Sequence, residues 1–140
     1  MLIRYATLMQ QLADEILRRF PEVAPKVCPG DEALPYLMVG HVVDWLRSVA
    51  KPRLEPRVIE RVVAFDRWCM AQPPGRTAED DLLTVIVVAL HEKLFAYDEL
   101  LPLVPHVMTR EQLVANRDYL VGWVGAERYA AALRLAEEVA

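Results

Sequence analysis

Asp80-Asp81-Leu82-Leu83-Thr84-Val85-Ile86-Val87-Val88-Ala89-Leu90-His91-Glu92-Lys93-Leu94 is the stretch on which the fold turns. Its β-branched middle, Thr84 to Val88, reads as a buried strand or as the core of a helix, because a short apolar run does not separate the two by periodicity alone. Two observations decide for helix. At about 100° per residue the large apolar side chains fall on nearly every side, the pattern of a helix surrounded by others. The chain also holds no second strand-like run with which a strand here would pair. Thr77 with Asp80 three residues on forms an Asp-containing capping box ahead of the run, so a central hydrophobic helix is predicted over about residues 79–97.

Outward from this helix the punctuation is mostly proline. Tyr5, Leu8, Met9, Leu12, Ile16 and Phe20 recur at helical spacing until Pro21. Pro35 is suited to the first position of a second helix ending near Ala50, and Pro56 to that of a third ending near Met70. Gln72-Pro73-Pro74-Gly75 is the clearest breaker and divides the chain into two halves. Beyond the central helix, Asp98 to Met108 contains Pro102 and Pro105 and has room for a short helical or irregular piece. Thr109 with Gln112 forms a second capping box for a helix ending at Gly122, and Ala126 to Val139 is the last helix. The expectation is all-α: a single domain over residues 1–140, with six or seven helices around the central one.

A chain of 140 residues buries about two-thirds of its unfolded surface without disulfides or metal. Its 54% hydrophobic and 26% charged residues place it among globular proteins. The net charge of −4 repels nucleic-acid phosphate and anionic membranes, which disfavours both as partners. The charge is uneven. Lys51 to Arg76 holds six basic and three acidic residues, whereas Thr77 to Leu100 holds one basic and six acidic. Cys28 and Cys69 are isolated thiols, and the N-terminus runs into an amphipathic pattern without a signal peptide's apolar core, so a cytoplasmic protein is expected. The longest nearly apolar run, Leu82 to Leu90, is about half the ~20 residues that span a bilayer.

Few residues suggest chemistry. His91-Glu92-Lys93-Leu94-Phe95 begins like the HExxH helix of zinc proteases, but Phe95 stands where the second metal-binding histidine belongs. His41, His91 and His106 invite comparison with bundles that bind metal through three imidazoles, although their spacing gives no support, and no metal or cofactor is assigned. On the structural reading His91 and Thr84 share a stripe and hydrogen-bond a neighbouring helix. Asp66 falls on the apolar face of the third helix between Ile59 and Val62, where a carboxylate needs a partner, and Arg117 holds a similar place on a later helix. An Asp66–Arg117 inner ion pair is therefore a candidate, set against a placement at the interface edge where either side chain reaches water. No nucleophile elbow, phosphate-cradling glycine loop or dinucleotide fingerprint is present, so no catalytic residue is assigned. Trp45, Trp68 and Trp123 read as packing residues.

Leu34-Pro35-Tyr36-Leu37-Met38-Val39-Gly40-His41-Val42-Val43-Asp44-Trp45-Leu46 and the Asp80–Leu94 stretch resemble two helices of small helical bacterial proteins, some of them proposed as immunity proteins of polymorphic toxin systems. The likeness is mostly apolar spacing, with Ala89 and His91 departing from the pattern. It implies a non-catalytic protein that neutralises a toxin by binding it. The leading expectation is thus a protein-binding module whose acidic residues Glu79, Asp80, Asp81, Asp98 and Glu99 hold the partner. The alternative is a metal- or small-ligand-binding helical enzyme using His41, Asp44, His91 or Glu92. A third reading, a structural or dimerising module, leaves homo-oligomerisation open.

Overall fold

A computed structural model describes residues 2–77 and 80–139, with side chains from residue 8 onward. The described residues form helices and turns, with no strand among them. Helix α1 (Leu2–Arg19) stops where Pro21 opens a 3₁₀ segment, Pro21–Lys26. Pro35 and Pro56 begin α2 (Pro35–Val49) and α3 (Pro56–Met70), positions where the missing N–H costs no helical hydrogen bond. An aromatic cluster ties these three helices together. The Phe20 ring lies 5.8 Å from Trp45 and 5.6 Å from Phe65, the latter edge-on. Arg61 covers the cluster, its guanidinium 4.9 Å from the Trp45 ring centre and 5.2 Å from that of Phe20. The same guanidinium donates to the Arg19 carbonyl at 2.6 and 2.9 Å and to the Glu22 carboxylate. It thereby satisfies a carbonyl that the end of α1 leaves without a helical partner.

The central run is helical as predicted, with a later start and an irregular middle. It comprises α4 (Leu82–Ile86), a π-helical turn (Val87–His91) and α5 (Glu92–Ala96). Asp81, not Thr77, is its N-cap, and its side chain accepts from the Thr84 N–H. The predicted Thr77–Asp80 contact does form, but it closes a turn before the helix: Asp80 Oδ1 accepts from the N–H groups of Arg76 and Thr77. Asp81 also accepts from the Gly75 N–H. Gly75 approaches Asp80 so closely that a Cβ there would collide with the Asp80 carbonyl. In the π turn the Glu92 N–H reaches back to the Val87 carbonyl, five residues instead of four.

The C-terminal half follows as a 3₁₀ turn (Leu101–Leu103), α6 (Val104–Val107), α7 (Arg110–Ala115), α8 (Arg117–Val124) and α9 (Ala126–Val139). The Thr109–Gln112 capping box is present in both directions. The helix expected to run from it to Gly122 is instead two helices, because Asn116 turns its amide back onto the Gln112 carbonyl and breaks the path. Gly125, with φ +94° and ψ 153°, makes the corner between α8 and α9 in a region that only glycine adopts freely.

The π turn packs on α2, α4 on α3, and α5 on both α8 and α9. A continuous cluster of buried apolar residues runs from Met9 to Ala136 through all of these contacts. No described helix is long and apolar enough to cross a membrane.

Candidate functional site

Two buried polar side chains stand out in the core, Asp66 at 6% exposure and His91 at 5%. They face each other. Nε2 of His91, on the last residue of the π turn, lies 2.5 Å from Oδ1 of Asp66 on α3. An ionised carboxylate can only accept, so Nε2 is the donor of this bond, and a ring that is neutral then has its lone pair on Nδ1. Nδ1 is buried and has no hydrogen-bond partner among the described residues.

Asp66 is therefore buried as its position predicts, but its partner is His91 and not Arg117. Arg117 stands exposed at the start of α8. There its guanidinium keeps its hydration, which burial against Asp66 would cost it. The predicted stripe holds for His91, which does bond a neighbouring helix. Thr84 does not; its hydroxyl donates to Asp81 at 2.7 Å within its own N-terminal turn. The extra residue in the π turn shifts the register between the two.

His91 forms part of the wall of a cleft of about 210 Å³ between α3, α5, α7 and α8. Phe95, Tyr119, Trp123, Met70 and Met108 supply much of its apolar surface, and Glu92, Gln112 and Asn116 its other polar groups. Trp123, read from sequence as a packing residue, is 37% exposed here, and Tyr119 is 55% exposed. Their rings meet edge to face at 5.0 Å. Partial burial, and after it the Glu92 carboxylate, raises the Tyr119 phenol above its ordinary value.

The chain's other chemical candidates are separated from one another. His41 bonds Asp31 at 3.0 Å, His91 bonds Asp66 and His106 is exposed, so the three imidazoles do not converge. Asp44 is exposed on α2. Among the described residues no group of three or more His, Cys, Asp or Glu side chains is gathered as a metal site. Burial, reinforced by the Asp66 carboxylate, pushes the Cys69 thiol far up, which removes it as a nucleophile at neutral pH.

The acidic residues expected to receive a partner are engaged within the chain. Asp80 and Asp81 hold the turn ahead of α4, and these backbone N–H donors lower both carboxyls. Arg128 pairs with Asp98 while also donating to the Ala96 carbonyl at the end of α5. Arg47 bonds Glu99 at 2.8 Å and stacks 3.7 Å over Tyr97. Glu79 lies outside the described residues. The sequence reading found Asp66 and His91 separately, as a carboxylate in need of a partner and a histidine turned toward another helix. It missed the cleft, because its walls come from α3, α5, α7 and α8, which meet only in the folded chain. Comparison with protein-family models, curated proteins and solved structures finds no match to this chain.

Proposed function

We propose that the chain is a non-catalytic binding module that holds a partner protein against α8 and the adjoining cleft. The exposed Tyr119–Trp123 pair beside that cleft carries the reading. Tyr and Trp dominate the energetics of protein interfaces because they bury large rigid areas at small entropic cost, and they do so best next to a pocket. The carboxylates at Asp98 and Glu99 have arginine partners within the chain, so the acidic surface contributes long-range attraction for a basic partner more than direct contacts.

The specific form we carry forward is neutralisation of a toxin, the role implied by the resemblance of the Leu34–Leu46 and Asp80–Leu94 helices. The test is deletion of the gene in its native host with the neighbouring reading frame intact. Growth arrest that the wild-type chain rescues, and that a Tyr119→Ala/Trp123→Ala chain does not, supports the reading. Survival of the deletion strain while the neighbouring product is active removes it.

A further inference from the structure

We infer that the cleft binds a small organic ammonium ion with an apolar, aromatic body, its N–H groups shared between the Glu92 carboxylate and Nδ1 of His91. The inference rests on the proposed binding reading only in placing the ligand in the same cleft.

Charge selects the class. Glu92 is the one formally charged residue on the described wall, and no lysine or arginine lines the cleft. Behind the wall the Asp66 carboxylate adds a second negative group, held against Nε2 of His91. An anion would meet two carboxylates and no cation, whereas an ammonium would meet complementary charge.

Hydrogen bonding selects a donor. With the ring neutral, as this inference takes it, Nδ1 of His91 offers a lone pair, and that atom is buried and unpartnered while Nε2 is held by Asp66. A purely apolar ligand would leave it so, and an N–H donor would satisfy it. Asp66 is thus a positioning residue. Met70 and Met108, unbranched side chains that re-pack at low cost, line the same space as His91, and on this inference their movement admits the ligand to the ring.

Size and lining select the body. An apolar cavity of roughly 150 Å³ accepts one benzene, so 210 Å³ has room for a single ring with a short chain. Phe95, Tyr119 and Trp123 line it, and aromatic rings favour a cation.

The experiment is calorimetric titration of the full chain with 2-phenylethylammonium, 2-phenylethanol and 3-phenylpropanoate, three ligands of one shape and three charges. The ammonium is expected to bind at least ~10-fold more tightly than the alcohol, the ratio one charge-assisted hydrogen bond supplies. The propanoate is expected to bind more weakly still. Glu92→Gln, on a half-buried residue, should cut the ammonium affinity by about tenfold and leave the alcohol unchanged. In long-range ¹H–¹⁵N spectra of the wild-type chain, the His91 Nδ1 resonance should move with the ammonium and not with the propanoate. Equal affinity for all three, preference for the anion, or no binding at millimolar concentration overturns the inference. Loss of amine binding with growth protection intact rejects this inference alone; amine binding without growth protection rejects the partner reading alone.

Discussion

His91 Nε2 and Asp66 Oδ1 meet at 2.5 Å across 25 residues of sequence, and this bond fastens the π turn to α3 inside the core. It is the one buried polar contact between these two elements in an otherwise apolar packing layer of described residues. Such a contact favours one register over others, because sliding α3 against the π turn would bury a carboxylate and an N–H apart.

Breaking the bond from either side should therefore be costly. Asp66→Ala strands the His91 N–H and is expected to lose about 2–4 kcal/mol, while His91→Phe strands a buried carboxylate and should lose about 3–5 kcal/mol. The double variant Asp66→Ala/His91→Phe removes both polar groups and should lose well under the sum of the single losses, with a coupling of about 1–3 kcal/mol. Urea denaturation at neutral pH measures all four corners of the cycle. A loss below about 1 kcal/mol for Asp66→Ala would show that the pair is not buried in solution. Arg117→Ala, on an exposed residue, should stay within about 0.5 kcal/mol of wild type.

Asp81 links the Gly75 turn to the first turn of α4, so its removal acts on the start of the central helix. Asp81→Ala should cost about 1 kcal/mol, the usual value of an N-cap. The Gly75 and Thr84 donors lower the folded-state carboxyl below its ordinary value. A lowered folded pKa means that the contribution is fully present above the unfolded value of about 3.9 and is lost as pH falls through the folded one. Thermal melts of wild type and Asp81→Ala should accordingly differ at pH 6 and converge as the pH falls through the lowered folded-state value. A gap that persists at low pH would assign the effect to packing and not to the charged cap.

Arg61 holds three elements through one planar group: the end of α1, Glu22 of the following turn and the Trp45 ring of α2. Arg61→Ala is expected to cost about 1–3 kcal/mol. Arg61→Lys should recover less than half of it, because an ammonium does not reproduce the fork of donors or the stacking. Full recovery in chemical denaturation, or full loss on adding 1 M salt, would reduce the contact to a screened surface charge.

Much of the fold is legible in the sequence because proline, capping boxes and apolar spacing are local signals. Pro35, Pro56, Thr109 and the Ala126 start are where the structure places helix beginnings. The departures all come from tertiary demands. The π turn at Val87–His91 lets His91 reach Asp66, and no propensity at those positions announces it. Asn116 interrupts a run that periodicity reads as continuous, since an Asn side chain competes with the helix for its own carbonyls. Asp66 was legible as an anomaly, but its partner depended on the packing of a helix 25 residues away. The acidic residues were legible as charges; whether an arginine lies opposite each depends on the fold, as Arg47 and Arg128 illustrate.

Tyr119 and Trp123 separate folding from binding. Both are exposed at the cleft, so Tyr119→Ala and Trp123→Ala should each change folding stability by about 1 kcal/mol or less. If α8 is the contact face, each should weaken partner binding by about 2 kcal/mol or more, roughly 30-fold, measured by calorimetry with the purified partner. Charge reversal at Glu99 probes the opposite idea. Arg47 already neutralises this carboxylate, so Glu99→Lys should slow association at low salt and leave the dissociation rate unchanged. Stopped-flow rates distinguish the two surfaces directly. A faster dissociation for Glu99→Lys, with none for Trp123→Ala, would move the contact from the aromatic cleft to the acidic side of the molecule.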